Sequence, residues 1–247
     1  MTTAATPSRT PGRRRSSTAA ILANVATGLG AVLFLGAFVW AALLYRPYAV
    51  PTDSMAPTIN AGERVLAERV EGTEVRRGDV VVFRDTTWGD LPMIKRVVGV
   101  GGDTVVCCDA EGRLTINGEP VSEPYLDTPG RASATEFSAT VPEGRLFLLG
   151  DHRRDSVDSR SRLAGGATAD GAVPRDAVVA RVDVTAWPLG TAGVVERPEG
   201  FAELPGGISE PGPLPTLFWA GATGAVLILG GAAQGPIARR AGRRGRH

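Results

Sequence analysis

Lysine is almost absent from this chain. Of its 27 basic residues, 26 are arginine and one, Lys95, is lysine. Histidine is nearly as scarce, with only His152 and the terminal His247. A histidine-rich metal centre is therefore excluded. The two cysteines, Cys107 and Cys108, are adjacent and have no second pair with which to build a zinc site. Across a trans peptide their Cα atoms would lie about 3.8 Å apart, short of the usual disulfide span of about 4.4 Å or more. They read either as two small packing residues or as a strained vicinal disulfide. The G-x-S-x-G elbow of α/β-hydrolases is missing, and so is the S-x-x-K pattern of β-lactam enzymes. The net charge of +1 gives no footprint for nucleic acid. No internal repeat of fixed period is present.

What charge there is has been placed unevenly. Arg9, Arg13, Arg14 and Arg15 precede an uncharged run over 16–45. A second uncharged run over 211–238 leads into Arg239, Arg240, Arg243, Arg244 and Arg246. A bilayer core needs about 20 mostly apolar residues as helix. The first run satisfies that, and it ends in Leu-Leu-Tyr-Arg. A cleavable leader would instead have a shorter apolar core of about 7–15 residues ending in small residues. An uncleaved anchor over 18–45 is predicted. The second run is diluted by Gly221, Gly224, Gly230 and Gly231. Small residues are common where membrane helices pack, so a second span is predicted over 215–235. Basic flanks resist translocation. The basic tails over 1–17 and 236–247 are therefore expected in the cytoplasm, and the region between the spans on the external face of a cell membrane.

That region is long enough for one domain with its own core. Its Val- and Leu-rich runs are RVLAERV, GDVVVFRD, MIKRVVGV, DTVVCCDA, GRLTING, GRLFLLGD and AVVARVDVTAW. Gly, Pro, Asn and Asp clusters separate them, as strands joined by turns require. Asn117-Gly118 marks a hairpin turn. The fold class is mostly β, a coiled multi-sheet domain over 46–198 between one N-terminal and a second C-terminal transmembrane helix. The stretch LDTPGRASATEFSATVPEG reads as a loop, and 199–214 as a linker to the second span.

Two residues carry candidate chemistry. Ser54 lies in YAVPTDSMAPT, just after the first span. Pro51 and Pro57 fix their own φ and bias their predecessors toward extended backbone, so Ser54 is expected on a stiff extended segment near the bilayer. A serine hydroxyl needs a neighbour to take its proton. His247 falls in a cytoplasmic tail, and His152 lacks the elbow that usually accompanies a Ser-His pair. Lys95 sits among Met93, Ile94, Val97 and Val98. Such surroundings disfavour the ammonium form, and lysine, unlike arginine, can deprotonate and act as a base.

At these residues the chain resembles the bacterial type I signal peptidases, membrane-bound Ser/Lys proteases. PTDSMAPT resembles the family's nucleophile box P-S-x-S-M-x-P-T. MIKRVVGVGGD resembles its base box Y-I-K-R-x-V-G-x-P-G-D, and GDHRRDSVDSR its third box G-D-N-x-x-x-S-x-D-S-R. Order and upstream anchor also match, over roughly 49–160. The resemblance implies Ser54 as nucleophile and Lys95 as general base. It implies an oxyanion hole from the Ser54 amide and the hydroxyl of Thr52, which stands where the family has serine. Ser156 would orient the lysine amine. Asp158, Arg160 and Arg96 would form an ion-pair group behind the site, and Val50, Pro51 and Ile94 would wall shallow pockets for small side chains. His152 replaces the family's Asn, Gly101 its Pro, and the aromatics expected after Arg160 are missing.

The implied reaction is acyl transfer on exported proteins that carry signal peptides, cut after small residues, with no metal or cofactor. Its partners are those proteins and the lipid bilayer. A self-cleaving Ser/Lys regulatory protease should be soluble, which two spans oppose. A non-catalytic tethered β-domain that binds a partner would have no need of competent side chains at every dyad and oxyanion position.

Overall fold

The computed structural model describes residues 18–126, 131–163 and 171–244. The basic tail over 1–17, part of the expected loop at 127–130 and His247 lie outside the described residues. The elements run α1 (Thr18–Leu44), β1 (Tyr45–Ala49), β2 (Arg64–Glu68), β3 (Val80–Phe83), β4 (Met93–Val100), β5 (Thr104–Cys107), β6 (Leu114–Ile116), β7 (Glu119–Pro120), β8 (Phe137–Thr140), β9 (Arg145–Leu149), β10 (Val173–Pro174), β11 (Val178–Trp187), β12 (Gly193–Val194) and α2 (Leu214–Arg244). The chain divides into two compact units, the helical one and residues 42–214.

In the helical unit, both helices are long and apolar enough to cross a membrane, with mean hydropathy 2.1 over Ala20–Leu44 and 1.6 over Leu214–Ala233. Glycine sets their spacing. A Cβ on Gly30 would come within 2.7 Å of the Gly224 carbonyl oxygen, and one on Gly224 within 2.6 Å of the Phe34 nitrogen. Backbones this close require small residues at the crossing. The outer faces carry large apolar side chains such as Val32, Phe38, Phe218 and Trp219.

The β unit is antiparallel throughout. Its larger sheet has the order β1-β2-β11-β3-β4-β9-β10, with β12 paired to β11. The smaller has the order β7-β6-β5-β8. Every Val- and Leu-rich run in the sequence holds a strand, because these branched and bulky side chains pack on a pleated surface. Val80, Val81, Val82 and Phe83 of β3 are all buried, as befits a strand interior to the sheet. Asn117 and Gly118 both take positive φ, 55° and 88°, and turn β6 into β7.

Two expectations are corrected, and one open alternative is decided. Residues Phe137–Thr140, assigned to a loop, form β8 and pair with β5. The strand was hidden because it offers no run of branched apolar residues: only Ala139 is buried, while Ser138 and Thr140 face outward. The segment read as a linker is docked on the domain. Phe201 is fully buried and joins the core of the smaller sheet with Leu204. Arg77 donates to the Pro205 carbonyl at 2.7 Å, and Arg197 bridges Ser209, Asp79 and Asp183. The cysteines form a vicinal disulfide across a cis peptide, with Cα atoms 3.0 Å apart. A cis peptide brings the two Cα atoms closer than the roughly 3.8 Å of a trans one.

Candidate active site

Ser54 does not lie on extended backbone, as its prolines suggested, but in a turn after β1. That turn is pinned from below. Met55 and Ile59 are buried in the core with Val65, Val80 and Val182. The Ala56 amide donates to the Asp53 carbonyl at 2.9 Å, and the Ala61 amide to Asp53 Oδ1 at 2.8 Å. The His152 amide donates to the Ser54 carbonyl at 3.1 Å. Beneath it Gly150 passes so close that a Cβ would lie 2.4 Å from the Ser54 carbonyl oxygen and 2.1 Å from Ser156 Oγ. The turn so held gives the Ser54 side chain its direction.

That direction is toward Lys95. Its strand, β4, pairs with β3 on one side and β9 on the other, with Lys95 opposite Val81. The Lys95 side chain is buried, and its Nζ lies 2.7 Å from Ser54 Oγ and 3.1 Å from the Ile94 carbonyl oxygen. Burial lowers the amine to about 8, against an ordinary value of 10.5, while the Asp158 and Asp151 carboxylates pull it back upward. Desolvation outweighs both carboxylates, so the neutral amine is accessible near physiological pH.

Thr52 Oγ1 lies 3.4 Å from Ser54 Oγ, on the same open side. Val50, Pro51 and Ile94 line the cleft of about 250 Å³ that also holds Thr52, Ser54 and Lys95. All six residues that the motifs assign to nucleophile, base, oxyanion and pocket thus meet in one depression.

The support behind the dyad differs from what the motifs suggested. Arg96 pairs with Asp151, through Nε–Oδ1 at 2.9 Å and Nη2–Oδ2 at 2.7 Å, and not with Asp158. The guanidinium also donates to the Gly78 carbonyl and lies 4.1 Å from the centroid of the Tyr125 ring. Asp158 pairs with Arg160 at 2.7 Å and accepts from the Gly150 amide at 3.0 Å. A third pair, Arg153 with Glu123, is buried beside them. Opposed, hydrogen-bonded charges of this kind fix geometry more than they add stability. Ser156 Oγ is buried and is not among the partners of the lysine amine; it lies against Gly150.

Asp151 and Gly150 both stand in GDHRRDSVDSR, but their residue types alone do not distinguish an ion-pair partner or a close approach from a turn. Among the described residues no cluster of His, Cys, Asp and Glu could hold a metal.

The profile of the family described as "Signal peptidase, peptidase S26" matches residues 22–187. The chain belongs to the signal peptidase family, peptidase S26. Signal peptidase I of Mycobacterium tuberculosis is 32% identical over 208 residues, covering 64% of this chain and 70% of its own. A probable signal peptidase I of Mycobacterium leprae is 30% identical over 240 residues, covering 73% and 80%. Among solved structures, a signal peptidase I from Enterococcus faecalis V583 matches at 29% identity and a TM-score of 0.35, covering 43% of this chain and 94% of its own. The match in S26 peptidases runs from the first apolar helix to the end of β11 and so takes in Ser54, Lys95 and the whole GDHRRDSVDSR segment.

Proposed function

We propose that this S26 peptidase is a membrane-bound serine endopeptidase that removes signal peptides from exported proteins with a Ser54/Lys95 dyad. One observation carries the reading: a buried amine, lowered to about 8, stands 2.7 Å from a serine hydroxyl at the floor of an open cleft. That is the geometry a general base needs.

Neutral Lys95 takes the Ser54 proton as Oγ attacks the substrate carbonyl. The tetrahedral oxyanion receives hydrogen bonds from the Ser54 amide and the Thr52 hydroxyl, donors that are typically worth about 2.7–4 kcal/mol each when lost. The Lys95 ammonium then returns the proton to the leaving amine. A water, deprotonated by the same amine, hydrolyses the acyl-enzyme ester. Ser-Lys pairs follow the same division of labour as Ser-His-Asp triads. The Arg96–Asp151 and Asp158–Arg160 pairs hold the loop of Gly150 beneath Ser54. Val50, Pro51 and Ile94 leave room for small side chains before the cut.

The purified full chain should cleave an A-x-A peptide after its second alanine, and Ser54→Ala should not. Equal cleavage by both would refute the assignment. The arginines that flank each apolar segment support cytoplasmic termini and an external β unit. A reporter fused at either end should behave as cytoplasmic and one inserted near Pro129 as external; an external C-terminal reporter would refute the two-span topology.

A further inference from the structure

The cleft that holds Ser54 and Lys95 continues past Met93 and Pro92 to Leu91 and Trp88. The proposed chemistry uses none of these outer residues. Trp88 is held firmly. Its ring meets Phe83 edge-on, with centroids 5.7 Å apart, and the Arg162 guanidinium lies 4.8 Å from its centroid. Its own 3-10 turn, Thr86–Trp88, is capped by Asp85 Oδ1, which accepts from the Thr87 amide at 2.7 Å. Gly89 closes the turn at φ 99°, a conformation that favours glycine. Leu91 beside it is 72% exposed. A large aromatic ring held in place gives up little freedom on binding, and an exposed leucine gains by being covered. The inner end of the cleft suits small side chains; the outer end offers broad apolar area.

We infer that Trp88 and Leu91 form an outer subsite that takes a bulky apolar side chain at the fifth residue before the cut. The inference rests on the peptidase reading above. An extended peptide lying along β4 advances about 3.3 Å per residue, and β4 itself begins at Met93. If the residue before the cut lies beside Lys95, the third lies beside Met93 at the start of β4, and the fifth reaches past that end of the strand to the part of the cleft that Leu91 and Trp88 line. In a signal peptide this position falls where the apolar region of about 7–15 residues gives way to the small-residue cleavage site. The subsite would therefore sense whether apolar sequence ends at the proper distance from the cut, a requirement the small-residue pockets cannot impose alone.

Two A-x-A peptides that differ only in Leu or Ser at the fifth residue before the cut test this with the full chain in detergent. The wild type is expected to favour the Leu peptide in kcat/KM by roughly ten-fold, the value of partly burying one leucine. In Trp88→Ala that ratio should fall below about three-fold, while Trp88→Phe keeps most of it. The same exchange at the fourth residue should give a ratio near one, because alternate side chains of an extended chain point to opposite sides. A wild-type ratio near one, or an undiminished ratio in Trp88→Ala, overturns the subsite. If Trp88→Ala loses its fold by its melting curve, Leu91→Ser carries the same test from an exposed position, and an undiminished ratio there overturns the subsite equally. Failure of the wild type to cut either peptide, or equal cutting by Ser54→Ala, overturns the peptidase reading and the subsite with it.

Discussion

Lowering the pH loads a proton onto the proposed base, and the structure sets the size of the effect. With Lys95 held at about 8 by burial, roughly one molecule in ten carries the neutral amine at pH 7 and one in a hundred at pH 6. Below pH 8, kcat/KM on an A-x-A peptide should therefore rise about ten-fold per pH unit, and it should level off above about pH 9. Stability should move with the same group. Below pH 8 both folded and unfolded chains hold the proton, and the folded state carries the cost of a buried ammonium. Between about 8 and 10.5 the unfolded chain binds more protons than the folded one, so stability climbs with pH; above 10.5 the cost is gone. The gap between those two values corresponds to about 3 kcal/mol. Lys95→Met should thus stabilise the protein by that order at pH 7 and by little at pH 11, measured by denaturant unfolding in detergent. A midpoint near the ordinary histidine value of about 6.5, or a flat profile from pH 6 to 9, would refute Lys95 as base and make His152 the next residue to test.

Thr52→Val keeps the shape of the side chain and removes its hydroxyl. It should lower kcat on the order of 10²–10³-fold, with Thr52→Ser still active; a fully active valine variant would remove Thr52 from the oxyanion hole. Gly150→Ala would drive a methyl group to within 2.4 Å of the Ser54 carbonyl oxygen, so the nucleophile turn must shift. A displacement of about 1 Å can cost on the order of 10²-fold. Steady-state kinetics on the folded variant should detect that loss, and wild-type rates would show that the turn is not held from below.

Much of the fold was legible because β4, β9 and β11 are buried in runs of branched and bulky residues that allow few other arrangements. Strand β1 was not legible. YRPYA follows the apolar run directly, contains Pro47, and has only Tyr45 fully buried. The docked segment after Pro198 was hidden by its own composition: Pro and Gly mark irregular backbone equally well on a surface and in a linker, and only the buried Phe201 tells them apart. The site was more legible than its surroundings. Lys95 stands out from composition, as the one lysine among 27 basic residues; the roles proposed for Ser54 and Thr52 come from the resemblance of PTDSMAPT to the signal peptidase nucleophile box. Their supports do not stand out. Asp151 and Asp158 are the same residue seven positions apart, and only the folded loop decides which one faces Arg96. Trp88 lies in an ordinary polar turn and reaches the cleft through the β3–β4 connection, which no local pattern announces.

The dyad is tested most directly by kcat/KM for the wild type, Ser54→Ala, Lys95→Arg and the double variant on one A-x-A peptide. Residues that act as a unit lose everything at the first substitution. If Ser54 attacks only when Lys95 takes its proton, both single variants and the double variant should fall to the same residual rate. A double variant slower than either single by the product of their separate effects, or a single variant that keeps wild-type activity, would contradict the account.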